Sequence, residues 1–330
     1  MKQISIVIPV YNEEFFILGL LKSISQIDYP KEDFEVNVVC DGCTDGTVSV
    51  VKDFPFVRLI ELKNNVGRYA ARKIGAEKST YPHVLFVDAR CVVDASILKA
   101  IDKSSKKIII GRVLSEQQPG VFETFYNSVR RKVFWQYYSN PTRELELNQE
   151  NFDALPKGTT VLYVEKNTLF QAFTELSHVE MGKDSSDDTK LIRAIIEHTS
   201  ASLDPEVKIT NFYRKSFMAG LSHLAIYNAM SFVDYYLDPA QKFFWLVIVI
   251  PLLAITGIIT GMLFSPFSWV TKFGMLFSAN MLITLFLAKT FREFYIILFM
   301  MPLCVSAFYF GILRSIFIKS IQALKNIAQK

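Results

Sequence analysis

Val84 to Asp94, VLFVDARCVVD, is the stretch whose reading decides the fold. Four apolar residues, Val84 to Val87, run into an acid, Asp88, and the chain then turns polar. An α/β sheet presents a carboxylate in this way at the carboxyl end of a strand, where ligands of such sheets bind. Outward from it the pattern repeats. Ile4 to Val10 (ISIVIPV), Phe34 to Val39 and Phe56 to Leu62 are short β-branched or apolar runs of buried-strand length. Each is followed by helical spacing, as in Phe15, Leu18, Leu21 and Ile24, or Ala70, Ala71, Ile74 and Gly75. Ile108 to Leu114, Thr159 to Val164 and Val207 to Thr210 read as further strands. This alternation predicts a mostly parallel sheet flanked by helices, a Rossmann-like α/β fold.

The turns carry the chemistry. Pro9 closes the first strand before Tyr11-Asn12-Glu13-Glu14, where a helix opens. The second strand ends in Cys40-Asp41-Gly42-Cys43-Thr44-Asp45-Gly46. Asp45 is placed to cap the helix beginning near Thr47, which leaves Asp41 to a ligand. Asn64-Asn65-Val66-Gly67 leads into Arg68 at the head of the next helix. Asp94 precedes the helical pattern Ala95-Ser96-Ile97-Leu98 and is expected to cap it. Asp187-Asp188 open a helix through Ile192 and Ile195, where acids also complement the helix dipole.

Charge is unevenly spread. Seven of the 36 basic residues but one of the 32 acidic residues lie from Phe243 onward, leaving 29 against 31 before it. The basic balance therefore belongs to the C-terminal end and gives no support to a nucleic-acid partner. Cys40 and Cys43 form a lone CxxC with no second pair, so buried free thiols are expected rather than a metal or redox centre. The chain opens Met-Lys-Gln straight into a strand pattern, and the expectation is that residues 1–242 lie in the cytoplasm.

The series IVIPVYNEE, VVCDGCTDGT, NNVGRYAARKIGA and FVDARCVVD resembles the successive motifs of family 2 glycosyltransferases over residues 4–94, and more loosely to about residue 200. The resemblance implies the A-type glycosyltransferase (GT-A) fold, a nucleotide-binding α/β domain with a nucleotide-sugar donor. It implies that Pro9, Tyr11 and Glu13 line the nucleoside pocket, that Asp41 contacts base or ribose, and that Arg68 reaches base or diphosphate. The strand ending at Asp88 resembles the family's Asp-x-Asp, which binds Mg²⁺ or Mn²⁺ on the diphosphate; here it reads Asp88-Ala89-Arg90. One carboxylate remains, so Asp88 is expected to hold the divalent cation, with Ala89 and Arg90 beside the diphosphate. Arg90 either replaces part of the metal's charge or pairs with a carboxylate to hold the loop. The acidic pair resembles the family's Glu-Asp motif, which makes Asp188 the catalytic base and Asp187 an acceptor contact. Arg214, close before the apolar segments, is the candidate for a lipid phosphate.

The C-terminal third is apolar. Residues 243–264, 271–289 and 294–313 are each candidate membrane spans. Three spans would leave Arg314, Lys319, Lys325 and Lys330 across the membrane from the basic 289–292 loop, against the positive-inside rule. Either the tail is external despite its charge, or one segment is re-entrant or interfacial, the Pro302 segment foremost; three spans is the expectation. The chain thus divides into a catalytic domain (1–215), juxtamembrane helices (216–242) and a transmembrane region (243–330). The expected function is an inverting transfer from a nucleotide sugar to a lipid-linked acceptor, a polyprenyl phosphate or lipid-linked saccharide, at the cytoplasmic face of the cell membrane. The alternatives are a polysaccharide synthase with few spans and, because of Arg90, a non-catalytic nucleotide-sugar-binding subunit.

Overall fold

The computed structural model describes residues 1–116, 118–179, 181, 185–213, 216–237, 244–245 and 249–328. They form two compact units. The first comprises Met1–Gln118, Phe134–Lys183 and Asp187–Tyr213, and the second Pro119–Val133, Asp184–Ser186 and Arg214–Lys330.

The first unit is built on the strands β1 (Ile4–Val10), β2 (Phe34–Asp41), β3 (Val57–Leu62), β4 (His83–Val87), β5 (Cys91–Val93), β6 (Ile108–Ser115), β7 (Leu145–Leu147), β8 (Val161–Glu165) and β9 (Ala201–Asn211). Between them run α1 (Glu14–Ser25), α2 (Thr47–Lys52), α3 (Arg68–Lys78) and α4 (Ile97–Lys103). The sheet order is β3-β2-β1-β4-β8-β6-β9-β5, with β7 paired to β9. The expected parallel character is confined to β3-β2-β1-β4 and to β6-β9. The β4-β8, β8-β6, β9-β5 and β9-β7 pairs are antiparallel, so the sheet is mixed.

The two faces follow from the strand period of two. Ile4, Ile6, Ile8 and Val10 face a core that includes Ile17, Leu20, Leu21 and Ile24 of α1 and Ile97, Leu98 and Ile101 of α4. Val7, between them, faces the opposite layer, where α3 lies so close that a Cβ added at Gly75 would overlap the Val7 and Val39 side chains. Strand β9 is longer than its apolar run suggests. Its register against β6 jumps from Gly111↔Asp204 to Arg112↔Lys208, and the bulge takes in Pro205, which has no N–H for the ladder.

The second unit is helical. It holds α5 (Val121–Val133), which the chain enters from β6 and leaves for α6 (Trp135–Ser139) of the first unit. The first unit adds α7 (Lys166–Glu175) and α8 (Asp187–Ile195). The remainder of the second unit is α9 (Phe217–His223), a π-helical turn at Leu224–Asn228, α10 (Ala229–Tyr236), α11 (Ile250–Phe264), α12 (Trp269–Leu287) and α13 (Phe291–Ala328). Two of these helices, over Trp269–Leu287 and Phe291–Gln322, are long and apolar enough to cross a membrane; the described part of the first predicted span is the shorter Pro251–Phe264.

Close approach of α3 to the sheet requires the missing side chain at Gly75. Gly75→Val is expected to destabilise the first unit by about 1–3 kcal/mol through overpacking, read as a lowered unfolding midpoint.

Candidate active site

Two strand ends begin the site. Strand β4 stops at Val87 and β2 at Asp41, so Asp88 and Asp41 both emerge at carboxyl ends. Asp41 is 3% exposed and accepts the backbone N–H groups of Val66 (2.7 Å) and Gly67 (2.9 Å). Both its oxygens are therefore engaged by the loop that starts α3. Gly67 sits at φ 94°, a conformation that favours glycine, and α3 begins at the next residue.

Helix α3 carries the centre of the site. Arg72 is 1% exposed. Its Nη2 donates to Asp88 Oδ1 at 3.0 Å, and its Nη1 donates to Asp187 Oδ2 at 2.9 Å and Asp188 Oδ1 at 3.0 Å. Arg68, one turn earlier and largely exposed, donates from Nη2 to Asp187 Oδ1 at 2.8 Å. Thr159, just before β8, donates its hydroxyl to Asp188 Oδ1 at 2.8 Å. Asp187 is thus buried, with both oxygens engaged by arginines. Asp88 and Asp188 are each about a third exposed. Among the described residues, neither Asp88 Oδ2 nor Asp188 Oδ2 takes a hydrogen bond, so each can meet a ligand.

Arg90 does something else. Its Nε and Nη2 both donate to Glu13 Oε1, at 2.8 and 2.5 Å, and its guanidinium lies 5.2 Å from the centre of the Phe16 ring. Two residues expected to touch the donor thus bind each other and tie the start of α1 to the turn after Asp88. Of the two sequence readings of Arg90, this geometry is that of the carboxylate pair holding the loop. Pro9 is half-buried in β1, Tyr11 is exposed at 47%, and Ala89 is buried at 5%. Arg214 lies outside the described residues. Asp45 and Asp94 act as expected, accepting the N–H groups of Thr47 (3.0 Å) and Ser96 (2.9 Å) at the heads of α2 and α4. Cys40, Cys43, Cys91 and Cys304 are free thiols.

Arg72 and Thr159 are absent from the sequence expectations. The i,i+4 spacing of Arg68 and Arg72 puts both on one helix face, and that was the available signal for Arg72. Thr159 had none, since only the β4-β8 pairing brings it to Asp188.

Residues 5–162 match the model of the family described as Glycosyl transferase family 2. Over these residues the chain is similar to that family. One relative is the poly(ribitol-phosphate) β-N-acetylglucosaminyltransferase TarS of Staphylococcus aureus, 28% identical over 141 residues, covering 40% of this chain and 25% of that protein. Another is the glycosyltransferase AglE of Haloferax volcanii, 35% identical over 92 residues, covering 27% and 30%. The matches to these curated relatives span less than a third of their length. Among solved structures, the mannosyltransferase PcManGT of Pyrobaculum calidifontis, in complex with GDP-Man and Mn²⁺, superposes with a TM-score of 0.63 at 16% identity, covering 96% of this chain and 88% of that one. That likeness is one of fold.

The electrostatics of the family 2 domain's site are those of a net negative cluster, three carboxylates against the guanidinium groups of Arg68 and Arg72. Burial, with the neighbouring charge of Asp188, pushes the Asp187 carboxyl up to about 6. Burial acts the same way on Asp188, but Arg72, Arg68 and the Thr159 hydroxyl outweigh it and hold that carboxyl below its ordinary value. Burial alone would weaken the charge on Arg72, yet Asp188, Asp88 and Asp187 together push its pKa up, so it stays a cation.

Arg72→Met leaves these carboxylates without their shared partner and is expected to cost about 3–5 kcal/mol of stability at neutral pH. Unfolding midpoints of the two proteins at neutral pH measure it. The raised pKa of Asp187 means the fold favours its neutral form. That contribution is complete below the unfolded value of about 3.9 and is lost as pH rises through about 6. Between pH 4 and 7 the midpoint of the wild type is therefore expected to fall relative to that of Asp187→Asn.

Proposed function

We propose that this chain is a membrane-bound inverting glycosyltransferase that moves a hexosyl group from a nucleotide sugar to a lipid-linked acceptor. The observation that carries the proposal is the pairing of Asp88 and Asp188 through one buried guanidinium, each keeping an oxygen for a ligand. They stand at the carboxyl end of β4 and the head of α8, and in this reading Asp88 faces the donor and Asp188 the acceptor.

Asp188 is the base of this reaction. Its lowered pKa keeps it ionised at neutral pH, and Oδ2 receives the proton of the acceptor hydroxyl while that oxygen bonds to the anomeric carbon. The bond from the anomeric carbon to the diphosphate oxygen breaks with its electron pair, and the nucleoside diphosphate leaves from the opposite face. Where the acceptor is a phosphate there is no proton to remove, and Asp188 orients it. Arg72 keeps the base and Asp88 in register, and Arg68 fixes Asp187 behind them.

A divalent cation fits the donor side. A hard cation bound to phosphates uses one or two carboxylates, and the cluster carries an excess negative charge before any ligand binds. Asp88 Oδ2 would hold it, and the ion would neutralise charge on the leaving diphosphate. The Mn²⁺ and GDP-Man in the similarly folded PcManGT support this choice. Arg90, the ground for a non-catalytic reading, is tied to Glu13 and leaves Asp88 clear. Membrane attachment rests on the two long apolar helices, and a role at the cell envelope on relatives named for teichoic acid and poly-β-1,6-N-acetylglucosamine synthesis.

The experiment is a panel of UDP- and GDP-sugars against the purified chain in bilayer discs, with and without Mn²⁺. Turnover is expected with one donor, and Asp188→Asn is expected to lower kcat by about 10²–10⁴-fold while donor affinity is retained. EDTA is expected to abolish turnover and weaken donor binding; binding and turnover unchanged by EDTA would exclude the cation. Donor binding without turnover under every metal and acceptor would replace the transferase with a nucleotide-sugar-binding subunit.

A further inference from the structure

The helical unit decides a question that apolar length leaves open, namely how α13 meets the membrane. Its exposed apolar residues follow one face. Phe291, Tyr295, Phe299, Phe310, Phe317 and Leu324 stand between 57% and 84% exposed at intervals that keep them within a third of the helix circumference. From the first to the last they cover 34 residues, about 50 Å of helix. A bilayer's hydrocarbon core is about 30 Å thick, so an upright α13 would leave some 20 Å of this stripe in water.

The opposite face is already covered by protein along the same length. Ile297, Met300 and Cys304 are buried in a cluster with Phe125 of α5 and Leu224, and Ile312 is buried against Ala229 and Val233 of α10. Ion pairs close both ends of this packed face. Near the start of α13, Glu293 accepts from Arg131 of α5 at 3.1 and 2.8 Å, and Arg292 donates to the Pro119 carbonyl at 2.7 Å. Near its end, Lys319 donates to Asp234 of α10 at 2.6 Å, and the other oxygen of Asp234 accepts the Ser186 N–H at 3.0 Å.

These bonds fix which side of a bilayer each end of α13 occupies. Helix α5 starts at Val121, and only five residues separate it from the end of β6 at Ser115. An extended chain of that length reaches about 20 Å, too short to cross the hydrocarbon. The start of α13 is therefore on the same side as β6. Its other end is bonded, through Asp234, to Ser186, whose next residue in the chain is Asp187 of α8. Both ends of α13 are thus bonded to residues, Pro119 and Asp234, that are tied within a few positions of the chain to Ser115 of β6 and, through Ser186, to Asp187 of α8.

We propose that α13 does not span the membrane but lies in the plane of its interface, on the side of the family 2 domain, with the Phe291–Leu324 stripe sunk into the bilayer surface. The occupant of the stripe is lipid. An amphipathic helix in this setting buries its apolar face about 5–10 Å into the boundary between headgroups and acyl chains, and basic residues flanking it meet anionic headgroups. Arg314, exposed at the border of the stripe, and Lys289, exposed just before the helix, supply that charge. The orientation also removes the charge conflict, because Lys289, Arg292, Arg314 and Lys319 all fall on one side. Helix α12 remains long and apolar enough to cross. The proposal is independent of the transferase reading.

The test is depth measurement on the full chain in vesicles of phosphatidylethanolamine and phosphatidylglycerol. Nitroxide labels are placed singly through Tyr295→Cys, Phe299→Cys, Phe310→Cys and Phe317→Cys, with the four native cysteines replaced. An in-plane helix puts all four labels at one depth, with equal ratios of oxygen to nickel-chelate relaxation. A depth profile that runs from one interface through the bilayer centre to the other overturns the proposal. Where removal of the native cysteines impairs folding, a fluorescent unnatural amino acid at each of the same four positions of the otherwise wild-type chain, quenched by brominated lipids, decides in its place. Equal depth at all four positions agrees with an in-plane α13, and a depth gradient along the helix overturns it.

Discussion

A guanidinium with 1% of its surface exposed holds three carboxylates together in this protein, and most of the candidate site depends on it. A buried charge is tolerated only when it is paired and hydrogen-bonded, and Arg72 meets that demand with Asp88, Asp187 and Asp188. The constraint acts in both directions. The aspartates hold the arginine charged, and the arginine permits three acids to converge, with burial pushing Asp187 toward its neutral form. Asp41 stands one step further back. By accepting two amides of the loop before α3 it sets where that helix begins, and so where Arg72 enters.

The donor side is organised by a second pair. Glu13 and Arg90 occupy each other, so the residue standing where the resembling motif has its second acid is spent on joining α1 to the turn after Asp88. An acid at residue 90 would place like charges beside Glu13, whereas the arginine removes that repulsion and stacks on Phe16. The pair joins that turn to α1, and Asp88 is the one acid of the Asp88-Ala89-Arg90 turn. The cluster around Arg72 carries one more carboxylate than guanidinium groups.

The helical unit is governed by a related rule. Two ion pairs, Arg131–Glu293 and Lys319–Asp234, lie on the packed face of α13, while Phe291, Tyr295, Phe299, Phe310 and Phe317 are exposed. Apolar length marks α13 as a candidate span, and these two faces are the ground for the in-plane placement proposed above.

Local composition was enough to locate β1, whose β-branched run has strand length, and to place Asp41 and Asp88 at strand ends. It was enough for the motif series of the family 2 domain and for the helix caps at Asp45 and Asp94, because these features depend on residues within a few positions of one another. It was not enough for β5 and β7, three residues each, which are strands only because β9 is there to pair with them. Nor did it show the antiparallel half of the sheet, the union of Glu13 with Arg90, or Arg72 at the centre. Arg72 and Asp188 are 116 positions apart, and the cost of burying a charge is felt only once the chain has closed around it. The amino-acid sequence determined which chemical groups were present and which strand or helix end each would occupy. Tertiary structure decided which of them neutralise one another and which, like the outer oxygens of Asp88 and Asp188, are left for a ligand.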